Sequence, residues 1–247
     1  MSPPIALPSP APSTPATPIR AITGLWALLA CTLLWDLSGA DLAVMHFFGS
    51  AQGFALTHQW LLERVLHDGV RQLATVFYLL LWVWALWPPR WSPAGWRVLQ
   101  LPRRERVAVV LLVALALLAV NLIKNQSQTS CPWDLQAFGG RASYVSHWNL
   151  GQSDGGSGRC FPGGHASSAF GFLALCLPWL QPPGAEVRHR AVGQRWLLAI
   201  LFTGLVAGAV QTVRGAHYPS HTLWTLVVCS AVSLAGWRLA QPWLARA

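Results

Sequence analysis

Six times along this chain the sequence stays apolar for about the length that crosses a bilayer: 22–45, 70–87, 107–123, 165–180, 196–213 and 219–237. A hydrocarbon core about 30 Å thick needs roughly 20 such residues as helix, with tilt absorbing the difference. Backbone in hydrocarbon must satisfy its own hydrogen bonds, so each stretch is predicted as a helix. The expected fold class is therefore all-α, a polytopic integral membrane protein built as a six-transmembrane-helix bundle. Composition agrees: 53% of residues are hydrophobic and only 10% charged, where a soluble domain carries about a quarter. A water-soluble enzyme is excluded, and five cysteines in 247 residues exclude a disulfide-dense scaffold. Residues 1–19, rich in Pro, Ser, Ala and Thr, are expected to form a disordered tail, and 20–247 a single membrane domain.

The basic residues orient the bundle. Sixteen of the seventeen are arginine, and the one lysine is Lys124. Arg90, Arg97, Arg103, Arg104 and Arg106 fall between the second and third spans, and Arg188, Arg190 and Arg195 between the fourth and fifth. By the positive-inside rule both links are cytoplasmic, as are the termini with Arg20, Arg238 and Arg246. Eleven arginines then face Glu105 and Glu186 on that side, whereas six cations meet six carboxylates outside. The formal charge of +9 is thus an orientation signal, and no nucleic-acid partner is expected. Trp82, Trp84, Trp87, Trp91 and Trp96 suit an interfacial aromatic belt. The mixed polar and apolar residues of 54–67 suit an amphipathic helix lying in the outer interface. The run 22–35 followed by Ser38-Gly39-Ala40 also has the form of a signal-peptide core with its cleavage site, which would leave the downstream orientation unchanged.

Expensive polar groups in an apolar membrane protein mark its site. Here they collect on the outward side. Lys124 closes the third span, and Cys131-Pro132-Trp133-Asp134 follows it; Arg141, His147, Asp154, Arg159 and Cys160 come next. Phe161-Pro162-Gly163-Gly164-His165 opens the fourth span, and Gln211, Arg214, His217 and His221 straddle the fifth and sixth. A lysine at a helix end often only snorkels, and Pro-Gly-Gly-His alone is a plausible turn. Two glycines at a helix start do, however, expose backbone N–H groups and the positive dipole end, which suits a phosphate. Histidines four apart also suit metal or haem. No further ligand stands at a matching spacing, so neither metal nor cofactor is expected.

Together these elements are more specific. A cationic set, a Gly-Gly-His helix start and a second histidine on another helix supply what phosphoryl transfer through a phosphohistidine requires. The chain resembles the type-2 phosphatidic acid phosphatase superfamily, whose motifs read K-(six residues)-R-P, P-S-G-H, and S-R-(five residues)-H-(three residues)-D. The counterparts here are Lys124 with Cys131-Pro132; Pro162-Gly163-Gly164-His165; and Val210-Gln211 with His217 and His221, spread over about 124–225. Four positions depart: Cys131 and Gln211 stand for arginines, Gly163 for serine, and His221 for aspartate. Arg214 can supply one missing guanidinium and Arg141 or Arg159 the other. Gly163 leaves a backbone donor. His221 can accept a hydrogen bond from His217, with Asp134 or Asp154 contributing the missing negative charge.

The resemblance implies a lipid phosphatase working without metal. His217 would be the nucleophile and His165 the acid and base. Lys124, Arg214 and the Gly163 and Gly164 amides would hold the phosphoryl oxygens. It implies a phosphorylated-lipid partner, such as a lipid A phosphate, an undecaprenyl diphosphate or a glycerophospholipid phosphate, reached at the periplasmic face of a bacterial inner membrane. Lipid phosphotransfer by the same residues, or headgroup binding or transport without catalysis, stays open at this point. Cys131 and Cys160 share one outward loop and are expected either to pair as a disulfide in an oxidising compartment or to remain two free thiols.

Overall fold

The structure is a computed structural model that describes residues 18–88, 101–184 and 188–246. The tail expected over 1–19, apart from its last two residues, and with it Arg90, Trp91, Trp96, Arg97 and Glu186, lie outside the described residues. The protein is mostly helical (71%). Five helices are long and apolar enough to cross a membrane: Arg20–Leu37, Leu61–Leu86, Arg103–Gln126, Arg190–Val213 and Pro219–Leu244. In chain order the helices are α1 (Pro18–Leu37), α2 (Ala40–Phe48), α3 (Val70–Leu86), α4 (Arg103–Gln126), α5 (Gly164–Phe170), α6 (Leu177–Leu180), α7 (Arg190–Val213) and α8 (Pro219–Leu244).

The fourth apolar stretch, Gly164–Leu180, is shorter than the other five. Between α5 and α6 its residues Gly171–Cys176 wind as a tighter 3₁₀ helix. With 2.0 Å rise per residue there and 1.5 Å elsewhere, the stretch extends to about 28 Å. It lies in the middle of the bundle: Phe170, Phe172, Leu173, Leu175, Leu177 and Trp179 are all buried. A strand of the core need not be as long as a helix that must match the lipid.

Two expectations are corrected. The apolar run 22–45 is not one helix, because Gly39 takes a left-handed conformation (φ 71°) and separates α1 from α2. Nor is 54–67 a separate in-plane helix. Leu61–Gly69 forms wide π-type turns that run straight into α3. Two of its polar residues meet distant parts of the protein, Glu63 lying 3.6 Å from Arg214 and the His67 ring resting on His165, while Arg64 stays exposed.

Packing between the long helices relies on small side chains, as membrane bundles do where helices approach closely. Gly204 of α7 meets the Phe170 ring, and Gly208 meets Thr222 of α8, with no room for a Cβ at either place. Val109, Val113, Ala116 and Val120 of α4 share one buried core with Leu226, Cys229 and Trp237 of α8. At the end of the bundle that carries the arginines, Arg188 grips Glu105 with two hydrogen bonds of 2.5 and 2.7 Å. At the opposite end Asp41, buried at the start of α2, accepts hydrogen bonds from the Ser220 backbone N–H (3.0 Å) and hydroxyl and from Trp35 Nε1 (2.8 Å). A carboxylate there meets the free N–H groups and positive dipole end of α8. Asp41→Ala strips three donors of their acceptor, each worth about 1–3 kcal/mol when buried and unpaired. The detergent-solubilised variant should unfold at a clearly lower temperature than wild type in a tryptophan-fluorescence melt; an unchanged midpoint would exclude this tie as a determinant of stability.

Candidate active site

The corner between α7 and α8 places His217. Gly215 adopts a left-handed conformation (φ 79°), the Ala216 N–H reaches back to the Gln211 carbonyl at 2.8 Å, and the Gly215 N–H reaches Thr212 at 3.0 Å. This paired bonding is a Schellman cap, for which glycine is the natural residue. The chain then reverses through His217 and Tyr218, and Pro219 starts α8 at the position where its missing N–H costs nothing. His217 is left 3% exposed, with His221 buried one turn into α8.

The start of α5 is fastened to the same corner. The Gly163 N–H donates to the His221 carbonyl at 3.0 Å, and the Thr225 hydroxyl lies 2.9 Å from the Gly163 carbonyl. This corrects the expectation for Gly163, whose amide is already used within the protein. His165 follows, with its ring centroid 5.8 Å from that of His217. Its Nδ1 is buried without a hydrogen-bond partner. Lys124, at the end of α4, lays its side chain on Gly164, with Cε 3.6 Å and Nζ 3.8 Å from the point a Cβ would occupy. Lys124, Gly164, His165 and His217 thus come together, as the spacing of the motifs implied.

A cavity of about 400 Å³ opens beside Lys124, Gly164 and His165, between α3, α4 and the α5 stretch; the buried His217 is not among its lining residues. Lys124, His165, Gly164, Ser167 and Arg71 form its polar part, and Leu117, Tyr78 and Phe172 its apolar part. Arg214 is buried behind the histidines. Its Nε donates to the Thr57 carbonyl at 2.9 Å, and its terminal nitrogens lie 3.3 Å from Gln211 Oε1 and 3.6 Å from Glu63. Gln211 therefore positions Arg214 by holding its guanidinium. Arg141 and Arg159 are both exposed on the outward loop, Arg159 with a positive φ of 57°.

Two further expectations are corrected at His217 and His221. Among the described residues no hydrogen bond joins them; their centroids are 5.8 Å apart at an interplanar angle of 57°. Asp154 is spent inside the loop on the Ser130 N–H (2.6 Å), the Ser130 hydroxyl (2.8 Å) and the Gly156 N–H (2.9 Å), and Asp134 accepts from Ser157. What faces His217 Nδ1 is sulfur. Cys131 and Cys160 form a disulfide, and Cys160 Sγ lies 3.3 Å from that nitrogen. A disulfide sulfur has no proton to give, so a proton on Nδ1 leaves the lone pair on Nε2. The two sulfurs and the imidazole converge within 4.8 Å, a spacing that suits a metal ion, but both sulfurs are committed to each other. Burial, followed by the positive charges of Lys124, His221 and His165, holds the His217 imidazole well below its ordinary 6.5. It is therefore neutral at pH 7 and free to act as a nucleophile.

Three participants escaped the sequence reading. His67 stacks on His165 at 3.9 Å with its Nδ1 2.8 Å from Asp68, Arg71 lines the cavity, and Asp36 lies 3.0 Å from His147 Nε2. The signal for Arg71 was present, since an arginine inside an apolar span is a functional hypothesis by default. Asp36, inside the apolar run 22–45, carried the same signal, whereas His67 stands at no motif spacing and carried none.

No curated protein and no solved structure matches this chain. A family model does: that of the PAP2 superfamily matches residues 105–244, from the start of α4 to the end of α8. The match takes in both histidine-bearing helix starts, Lys124 and the whole outward loop between them. The chain belongs to the PAP2 superfamily.

Proposed function

We propose that this protein is a six-span membrane lipid phosphatase that hydrolyses a lipid phosphate or diphosphate at the periplasmic face of a bacterial inner membrane, with both termini cytoplasmic. Superfamily membership supports phosphatase chemistry on a phosphorylated lipid or small phosphate. The observation that carries the finer reading is that His165 and Lys124 line a cavity that turns from polar to apolar, with the buried His217 ring 5.8 Å from that of His165. Such a cavity suits a substrate with a phosphate at one end and hydrocarbon behind it. In the first step His217 Nε2 bonds to phosphorus and the bond to the leaving lipid oxygen breaks, while His165 delivers a proton to that oxygen. In the second, His165 takes a proton from water, whose oxygen displaces His217 and releases phosphate. Lys124 and the Gly164 amide offset the charge that grows on the phosphoryl oxygens. Arg214, buried among its partners, adds a fixed positive charge behind them.

Purified wild type in mixed micelles should release inorganic phosphate from at least one of a lipid A phosphate, an undecaprenyl diphosphate and phosphatidic acid, with vanadate inhibiting. His217→Ala should release none, and His165→Ala should lose about 10²–10⁴-fold in kcat. Turnover retained by His217→Ala would exclude it as the nucleophile.

The charge state of His217 adds a pH test. The neutral imidazole is the reactive form, so a lowered pKa moves the acid limb of kcat/KM below 6.5. Lys124→Met removes a nearby positive charge and should shift that limb to higher pH in the activity that remains. A limb unmoved by the substitution would separate Lys124 from the tuning of His217.

A further inference from the structure

The family match begins at residue 105, so α3 lies outside it. Yet α3 and the turns leading into it form one wall of the candidate site. His67, Arg71, Ala74, Thr75 and Tyr78 follow the i, i+4, i+7, i+8, i+11 pattern of a single helical face. His67 rests on the His165 ring at 3.9 Å, and the other four line the cavity that Lys124 and His165 also line. Along this face the lining changes from the Arg71 guanidinium to methyl and phenol, in parallel with the change from Lys124 and Asn121 to Leu117 on α4.

Among the described residues Arg71, Lys124, Arg141 and Arg159 make no ion pair, and of these four only Arg71 and Lys124 line the cavity, whereas the other two outward cations have acid partners. Arg64 is 3.7 Å from Asp68, and Arg214 is 3.6 Å from Glu63. Two unpaired cations converging on one cavity lower the free energy of any anion placed between them, the more so beside low-dielectric walls. The position where the family motif carries its first arginine is here Cys131, whose sulfur is bound to Cys160. A guanidinium is therefore absent from one side of the phosphate site and present on another.

We propose that Arg71 is a phosphate-binding residue of this protein, forming with Lys124 a two-cation clamp on the substrate phosphoryl group and replacing from α3 the arginine that the motif lost to a disulfide. Its planar fork offers paired donors to two phosphoryl oxygens, which an ammonium cannot do. The exposed position of Arg71 at the rim places it where a headgroup enters from the outer leaflet. The clamp selects an anionic oxyacid head with at least two free oxygens, a phosphate monoester or terminal diphosphate, over a phosphodiester headgroup. This assignment rests on the phosphatase reading for its substrate, though the clamp itself is testable without turnover.

The test uses the full-length protein in detergent, with orthovanadate as the phosphate probe and thermal stabilisation as the readout. Arg71→Ala and Lys124→Ala should each raise the vanadate concentration for half-maximal stabilisation at least tenfold. Arg71→Lys should fall between Arg71→Ala and wild type, because it keeps the charge and loses the fork. Arg64→Ala, which removes an outward cation already paired, should match wild type. In the phosphate-release assay Arg71→Ala should lose about 10²-fold in kcat/KM, the scale of one preorganised donor. Vanadate stabilisation of Arg71→Ala equal to that of wild type overturns the clamp, as does an equal loss in Arg64→Ala, which would reduce the effect to net charge. A wild type that binds vanadate through Arg71 but releases no phosphate from the lipid panel supports the clamp and overturns the phosphatase reading.

Discussion

The Gly163 N–H donates to the His221 carbonyl at 3.0 Å, and this one backbone bond ties the start of α5 to the first turn of α8. Every distance at the site depends on it. His165 lies two residues from one end of the bond, and His217 lies four residues from the other, so their separation of 5.8 Å follows from where the two helices begin. The bond also constrains residue choice. A Cβ on Gly163 would lie 3.3 Å from the carbonyl carbon and oxygen of His221, tighter than ordinary contact. The serine of the family motif would have to push the two helix starts apart, so the glycine follows from the closeness of this junction. Thr225, whose hydroxyl lies 2.9 Å from the Gly163 carbonyl and 2.8 Å from that of His221, closes the junction from beneath.

Around this junction the outward loop acts as a fixed cover. The Trp133 N–H donates to the Gly215 carbonyl at 3.0 Å, the Cys160 N–H to Thr129 at 2.9 Å, and the disulfide brings its two strands to a Cα separation of 5.2 Å. Asp154 holds the interior of the loop through three hydrogen bonds. A loop so fastened excludes water from His217 on the side away from the cavity, and this burial is the main reason its imidazole stays neutral. The two functions of the loop, structural closure and electrostatic tuning, are one consequence of the same packing.

Much of this was legible in the sequence because the relevant signals are local. Apolar length announces membrane helices, and Lys124, Pro162-Gly163-Gly164-His165 and His217 stand where the motifs of the resembled superfamily place a common site. The α1–α2 break and the joining of Leu61–Gly69 to α3 were not legible. Both depend on contacts between segments far apart: Asp41 with Ser220, and Glu63 and Thr57 with Arg214. Amphipathicity in 54–67 was read as lipid on one side and water on the other, but Glu63 and His67 of the polar side meet protein. The same limit applies to Gly163, whose amide is spent on a residue 58 positions away.

Two of the four departures from the family motifs connect, through one intervening residue, to α1 or to the turns before α3, while Gly163 meets α8. Gln211 holds Arg214, which Thr57 and Glu63 hold from the other side. His221 replaces a carboxylate, and Asp36 lies 3.0 Å from His147, whose ring centroid is 6.0 Å from that of His221. Cys131 replaces an arginine, and Arg71 enters the cavity from α3. A phosphate site needs a given amount of positive charge and a neutral nucleophile, but electrostatics does not prescribe which helix supplies them. On the proposed reading the charge arrangement is what such a site requires, and α3, which lies outside the family match, contributes to it through Arg71.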